Sequence, residues 1–279
     1  MIAVQPRSSR GGALRLGIAA IAVLPFVLPL LWLVAGALKP PGQFYTAPPT
    51  ILPDPPSLEA IRTAVRLVDA PRLVANSLLL GVLNVVGTVA SGAIVGFAFA
   101  TLPARGGRPL FALLVATILV PPSVTLIPQY ILFSRLGWVG TYLPLVVPQW
   151  LGSAFAIFLF RQWFRGLPPN LFESAELDGA NPFQQLRYVA LPLARPVIAA
   201  TAVFAFVGSW NDFLGPLLYL RTPDTFTVSL GLASFQGLYV NQVQQTMALS
   251  LLALLPVIAV FALAQHWLVQ GIASGGPRG

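Results

Sequence analysis

The sequence predicts an all-α fold, a polytopic membrane helical bundle with six transmembrane helices, from two observations. The first is composition: 56% of the 279 residues are hydrophobic and only 9% are charged, against about a quarter in ordinary soluble domains. The second is arrangement, because six apolar stretches are each long enough to cross a bilayer as a helix. Too few polar residues remain to cover so apolar a core, so lipid is the expected solvent for much of the surface.

The residue types that are missing exclude several kinds of chemistry. Without cysteine there can be no disulfide, thiolate nucleophile or cysteine zinc site, and a single histidine, His266, cannot form a cluster of imidazole ligands. The single lysine, Lys39, lies in the run LKPP, so the chain contains no GxxxxGK(S/T) phosphate loop. We therefore expect no catalytic residue, no metal and no cofactor, and any ATP hydrolysis must take place on another protein.

The first predicted span, 16–38, begins an N-terminal segment, 1–71, that consists of an anchor helix and an outer loop. Arginines precede the span, as in a signal peptide, but its apolar run of 23 residues exceeds the roughly 7–15 residues of a signal-peptide core. A retained anchor is therefore favoured over a cleaved signal. Seven prolines between residues 40 and 56 predict extended chain in the loop that follows.

Spans two to six belong to a transmembrane domain, 72–268, which is followed by a tail, 269–279. These five spans are expected at 73–100, 109–133, 142–163, 193–218 and 247–268. Span two places five small or weakly polar residues on one helical face: Ser77, Gly81, Asn84, Thr88 and Ser91. Such a face allows close helix packing or lines a wet path, and Gly92 and Gly96 add a GxxxG contact. Pro121 and Pro122 predict a kink in span three.

Spans four and five contain further candidates for a solute pathway. Asp212 is the only acid close to a span; an intramembrane carboxylate is a functional candidate, although a solvated helix end explains it equally well. Trp150 and Trp210 could stack on a sugar or could serve as ordinary interfacial aromatics. The possible pathway residues are Asn84, Thr88, Trp210, Asn211 and Asp212. The last outer loop, 221–246, is too long for a simple turn, which suggests a binding role.

The basic residues predict the orientation of the spans. Ten of the sixteen fall on the side of the N-terminus, and the positive-inside rule then places both termini in the cytoplasm. We interpret this basic side as a result of topology and of contact with anionic lipid, and expect no nucleic-acid partner. Only three acids share it, Glu173, Glu176 and Asp178, and all three lie in the loop between spans four and five.

This loop, 168–192, is predicted to form two short helices joined by a glycine bend. Gly179 stands where a helix commonly ends in a left-handed residue, and Asn181 with Gln184 resembles the capping box of a new helix. Pro192 is expected to close the loop at the start of span five. Two interpretations remain open on physical grounds. Either the acids pair with neighbouring arginines on a plain surface loop, or the loop docks on another protein; the arginines are Arg161, Arg165 and Arg187.

The loop also resembles the EAA motif of permease subunits in bacterial ABC importers. The motif reads EAA, three residues, G, nine residues and I-x-L-P, and the spacing here matches throughout, with Ser174 in place of alanine and Val189 in place of isoleucine. The resemblance implies that this loop couples the chain to an ATPase through Glu173, Ser174, Ala175, Glu176, Asp178, Gly179, Ala180 and Pro192.

Other runs resemble the carbohydrate-uptake branch, in particular the smaller permease of maltose-type importers. They open span two, close span four, lie within span five and form the tail: Asn76-Ser77, Phe158 to Gln162, Trp210 to Asp212, and Gln265 to Gly271 through Gly279. The likeness covers about residues 72–279, and His266 stands where relatives often have arginine.

The resemblance implies a type I ABC importer permease fold and a non-catalytic subunit in the bacterial inner membrane. Such a subunit pairs with a second, similar permease, binds two ATPase subunits on the inner face and receives a sugar or polyol from an outer solute-binding protein. The alternative is a secondary transporter or channel without an ATPase. Coupling to an ion would require a buried ionisable group, for which Asp212 is the sole candidate. A purely structural membrane subunit is a third possibility.

Overall fold

A computed structural model describes residues 9–46, 48, 50–103, 105–236 and 242–274, with side chains described between 17 and 267 except for residue 20. Within these ranges every regular element is helical, as predicted. The α-helices are α1 (Ser9–Ala37), α2 (Glu59–Leu67), α3 (Ala70–Thr101), α4 (Gly107–Thr117), α5 (Pro122–Arg135), α6 (Leu143–Leu151), α7 (Ala154–Arg165), α8 (Asn170–Leu177), α9 (Pro182–Gln184), α10 (Leu191–Leu193), α11 (Arg195–Asn211), α12 (Leu214–Tyr219), α13 (Val228–Ser234) and α14 (Val243–Ser274). A π-helix, Gln185–Ala190, joins α9 to α10, and two 3₁₀ turns lie at Gln43–Tyr45 and Pro223–Thr225.

The predicted spans appear as four single segments and two sharply bent pairs among the described residues. The single segments are Gly17–Ala37, Ala70–Thr101, Leu143–Arg165 and Val243–Trp267. The bent pairs are Gly107–Thr117 with Pro122–Arg135, at 96°, and Pro182–Leu193 with Arg195–Asn211, at 82°. Six spans result if each bent pair counts as one. Their apolar side chains are largely exposed, as lipid contact requires: Phe26 is 78% exposed, Leu119 83% and Leu263 74%.

Several predicted boundaries were wrong for reasons of backbone geometry. Span three is broken rather than kinked before Pro122, because Pro121 adopts an extended conformation. Span four contains an unpredicted break, where Gly152 has φ of 130° and Ser153 caps α7. Span five ends at Asn211 instead of continuing to residue 218, since Asp212 leaves the helical conformation. The last helix continues to Ser274, past residue 268.

One compact unit contains the described residues up to Val68 and those of Phe235–Ala253. In it the proline-rich loop folds back on the end of α1, where the Ser57 backbone N–H donates to the Leu38 carbonyl at 2.7 Å. Lys39 is buried, donates to the Thr50 carbonyl at 2.6 Å and lies 5.1 Å from the ring centre of Trp32. The loop is thus extended for most of its length, but it also contains the turn Gln43–Tyr45.

The second unit, Asp69–Ser234 with the described residues from Leu254 onward, is arranged around α3. This helix packs on α6, α7 and α11, and two of its glycines allow the close approach that the GxxxG pattern predicted. A Cβ on Gly92 would lie 2.9 Å from the Ala156 Cβ, and one on Gly96 would lie 2.6 Å from the Phe160 Cβ. The core of this unit at the C-terminal end of α3 is an aromatic cluster of Phe97, Phe160 and Phe164. Aliphatic residues of α3, the π-helix and the start of α11 complete it: Ala93, Leu186, Ala190, Ala194 and Val197.

Candidate functional site

The loop 168–192 has the glycine bend that its sequence predicted. Helix α8 ends in a Schellman motif: the Ala180 backbone N–H donates to the Ala175 carbonyl and the Gly179 N–H to the Glu176 carbonyl, both at 2.9 Å. Gly179 has φ of 82°, in the left-handed region that L side chains disfavour. Two orphan carbonyls of the helix end are satisfied in this way, and the chain turns sharply into its second arm.

The second arm begins with the predicted capping box. The Asn181 side chain accepts from the Gln184 backbone N–H at 3.0 Å, and the Gln184 side chain accepts from the Asn181 N–H at 2.8 Å. The helix then continues through the π-turn to Leu193, so Pro192 lies within this arm and not at the start of span five, and the chain bends by 82° before Arg195. A π-turn widens a helix by one residue and often marks a functional position.

One side of the loop packs against the spans through aromatic rings. Phe172 of α8 meets Phe97 of α3 edge to face, with ring centres 5.8 Å apart, and Phe97 meets Phe164 of α7 at 5.6 Å. Leu186 of the π-helix is buried in the same cluster. Because close-packed interiors have low compressibility and transmit strain, a displacement of α8 reaches α3 and α7 directly.

The side of the loop that faces away from this aromatic cluster carries the three acids. Glu173, Glu176 and Asp178 are exposed, and the ion pairs formed among the described residues, Arg72 with Asp69 and with Asp224, lie elsewhere. Arg161 instead lies 3.7 Å from the ring centre of Phe111. The interpretation in which the acids pair with neighbouring arginines therefore has no support in the described part of the chain. Leu177, at 90% exposure, completes an apolar and acidic surface available for docking.

A groove of about 450 Å³ runs beside this surface, between the loop and the ends of α3 and α7. Phe164 and Phe172 form its apolar floor, and Arg165, Glu173 and Glu176 supply charges at its edge. Ser174 and Ala175 do not line it; the Ser174 hydroxyl donates back to the Asn170 carbonyl at 2.8 Å. Ala180 does line it, next to the bend.

A second site, a cavity of about 350 Å³, lies among α3, α6, α7 and α11. Its polar lining comes from α3, α6 and α11, from the residue before α7 and from the residue after α11: Asn84, Thr88, Gln149, Ser153, Thr201, Ser209 and Asp212. The Asn84 amide donates to the Ser209 hydroxyl at 2.9 Å, and the Asp212 carboxylate accepts from the Gly215 backbone N–H at 3.1 Å. On the small-residue face of α3, Gly81 packs closely against Phe206, while Asn84 and Thr88 face the cavity.

The other residues predicted for the pathway lie outside this cavity. Trp210 is 5% exposed and stacks on Phe206, with ring centres 5.5 Å apart. Asn211 is exposed, and its amide donates to the Val207 carbonyl at 3.0 Å. Trp150 donates from its indole nitrogen to the Leu83 carbonyl at 3.0 Å, which joins α6 to α3.

Sequence reasoning missed Gln149 and Thr201, which line the cavity. Each is a polar residue inside a strongly apolar run, VVPQWL and IAATAV, and a lone polar group within a span is a usable signal because its burial is costly without a partner. Among the described residues, no group of three His, Asp or Glu side chains is placed to hold a metal ion.

The last outer loop is held against the start of α3. The Asn76 amide donates to the carbonyls of Asp224 and Phe226, at 2.8 and 2.9 Å, and the Ser77 hydroxyl accepts from the Val228 N–H at 2.9 Å. Residues 237–241 of the loop lie outside the described residues.

Comparison with known proteins gives one family and several relatives. The family model "Binding-protein-dependent transport system inner membrane component" matches residues 91–274. The arabinooligosaccharides transport system permease protein AraQ of Halalkalibacterium halodurans is 30% identical over 269 residues, which cover 95% of this chain and 96% of AraQ. The maltose/maltodextrin transport system permease protein MalG of Salmonella typhimurium is 30% identical over 302 residues, covering all of both chains.

A solved structure has the same fold. It is a chain of a bacterial ABC transporter involved in the import of the acidic polysaccharide alginate, with a TM-score of 0.80 and 20% sequence identity over 94% of this chain and 99% of that chain. The predicted all-α membrane fold is thereby confirmed.

Proposed function

The chain belongs to the family of binding-protein-dependent transport system inner membrane components, the permease subunits of ABC importers, and from that premise we propose that it forms half of the translocation pathway of an ATP-driven importer and couples to a separate ATPase. The observation that carries the proposal is the 168–192 loop. On one side it presents an exposed leucine and exposed acids that form no ion pair with any described residue. Its other side is fixed to α3 and α7 by buried aromatic rings.

In this mechanism α8 seats in a cleft of an ATPase subunit. The acids pair there with basic groups, and closure of the ATP-bound ATPase dimer displaces the loop. The Phe172–Phe97–Phe164 contacts pass this displacement to the spans, which favours one of two arrangements of the pathway. The chain contains no phosphate loop, so the energy enters from the partner and this subunit is not an enzyme.

The assembly contains a second permease of the same family, two ATPase subunits, an outer solute-binding protein and the lipid of a bacterial inner membrane. Both termini lie in the cytoplasm, in agreement with the basic residues of that side. The solute is a sugar or related polyol, as in the names of the relatives AraQ and MalG. Asn84, Thr88 and Asp212 line its route through the cavity among α3, α6, α7 and α11.

Copurification tests the coupling surface. A tagged chain should retain its ATPase subunits when membranes are solubilised, and Glu173→Lys should lower the recovered ATPase several-fold, because a like charge then faces the basic groups of the cleft. Glu59→Lys is the matched control, since Glu59 is an exposed glutamate in the first turn of α2, outside the loop. Undiminished ATPase recovery with Glu173→Lys would contradict the proposal. Solute uptake by the purified chain alone, abolished by Asp212→Asn, would favour a secondary transporter.

A further inference from the structure

The cavity among α3, α6, α7 and α11 contains polar atoms that the described chain does not satisfy. Asn84 is 7% exposed and Thr201 is 2% exposed, yet the Asn84 Oδ1 and the Thr201 Oγ1 have no hydrogen-bond partner among the described residues. Leaving a buried polar atom without a hydrogen-bond partner destabilises a protein. Both residues line the cavity, although these two atoms are themselves covered. A rotation of either side chain towards the cavity would let a solute with hydroxyl groups supply the missing partner: a donor for the amide oxygen and an acceptor or donor for the threonine.

The rest of the lining suits a sugar ring. Phe155 and Phe204 form an edge-to-face pair, with ring centres 5.9 Å apart, at the cavity wall. A few placed polar groups beside aromatic walls, in a volume of about 300–1,000 Å³, are the usual make-up of a small-molecule site, and this cavity measures about 350 Å³.

The charges of the lining exclude one class of sugar. The residues that line the cavity include no lysine, arginine or histidine, and Asp212 is the one acidic residue among them. A phosphate or uronate group would enter without a cationic partner and close to a carboxyl group, and burying an unpaired charge is strongly unfavourable. A neutral polyhydroxyl solute meets no such cost.

We propose that this cavity is a selectivity site that accepts an uncharged, hydroxyl-rich solute and rejects anionic sugars. The inference rests on the proposed transport function and deepens it. Selection by charge then takes place within this permease chain, in addition to any selection by the solute-binding protein.

Single-cysteine labelling tests the site in membranes that contain the whole complex. The chain has no native cysteine, and Gly208 lines the cavity with no atom within 4 Å of an added Cβ, so Gly208→Cys introduces a thiol without a clash. The measured quantity is the rate of modification by a cationic methanethiosulfonate reagent divided by the rate with an anionic one. We expect this ratio to be at least about tenfold higher at Gly208→Cys than at Ser134→Cys, an exposed control at the end of α5. Adding Asp212→Asn should bring the ratio down to that of the control.

Protection supplies the second measurement. Maltose, lactose and arabinobiose are the neutral probes and an alginate oligosaccharide is the anionic probe; at least one neutral sugar should slow modification of Gly208→Cys several-fold, and alginate should not. A reagent ratio equal to that of Ser134→Cys, equal or stronger protection by alginate, or no protection by any neutral sugar would each overturn the inference. The labelling needs neither ATP nor ATPase, so its failure is distinct from a failure of the Glu173→Lys experiment.

Discussion

Substituting Gly179 by valine isolates the glycine bend from every other property of the loop. At φ of 82°, with no atom within 4 Å of an added Cβ, the valine side chain begins in open space, so its main cost is that of the backbone conformation. Left-handed geometry costs an L residue roughly 1–2 kcal/mol, and a β-branched side chain is among the least tolerant. The bent conformation should therefore be populated roughly 5- to 30-fold less than in the parent chain.

Gly137→Val is a matched control because Gly137 has φ of 70° and an equally open environment, in the turn after α5. Both variants carry the same kind of backbone strain, and both should lose a similar small amount of thermal stability in detergent. ATP-driven solute uptake into vesicles should fall at least about fivefold in Gly179→Val alone. Wild-type uptake in Gly179→Val, or an equal loss in both variants, would refute the assignment of a coupling role to the bend.

Two further predictions concern the supports of the proposed sites. Gly96→Val should destabilise the chain by about 1–3 kcal/mol, since its Cβ would lie 2.6 Å from the Phe160 Cβ and 3.0 Å from the Arg161 backbone nitrogen. A thermal melt checks this against Gly208→Val, where no atom lies within 4 Å of the added Cβ. Equal melting temperatures of the two variants would contradict the prediction. Asn76→Leu should leave the Asp224 and Phe226 carbonyls without their donor and loosen the outer loop. Faster limited proteolysis between residues 222 and 236 is the expected result, and an unchanged rate would mean that other contacts hold the loop.

The conformation of the 168–192 loop could be predicted in detail because its hydrogen bonds are local. The left-handed Gly179 and the reciprocal cap of Asn181 and Gln184 each depend on residues within five positions of one another, and such spacing can be read from a sequence. The expected place of Pro192 at the start of span five was wrong for a related reason. A proline in the first turn of a helix is locally indistinguishable from one that closes a loop, and the bend depends on how α10 and α11 pack.

The cavity could be predicted only in part because its walls come from distant parts of the chain. Asn84 and Thr88 were found through their shared helical face, but Gln149 and Thr201 join them only through packing of α6 and α11 on α3. Trp210 was assigned to the pathway by residue type, and the structure instead stacks it on Phe206. Hydropathy alone does not tell which side of a buried helix faces a neighbour and which faces a cavity.

Helix α3 provides the physical link between the loop and the cavity. This span of 32 residues contains a proline only in its first turn. The helices around it are interrupted: α4 and α5 are bent apart, Gly152 separates α6 from α7, and a bend precedes α11. Phe97 contacts Phe172 of the 168–192 loop, and Asn84, about 20 Å away along the same helix, lines the cavity. Sharp changes of direction in helices occur at breaks of this kind. Gln149, Ser153 and Asp212 lie at or beside the ends of α6, α7 and α11. The cavity thus has one wall on an unbroken helix and the others next to breaks, so a displacement of the loop can change its shape without disturbing the hydrogen bonds within α3.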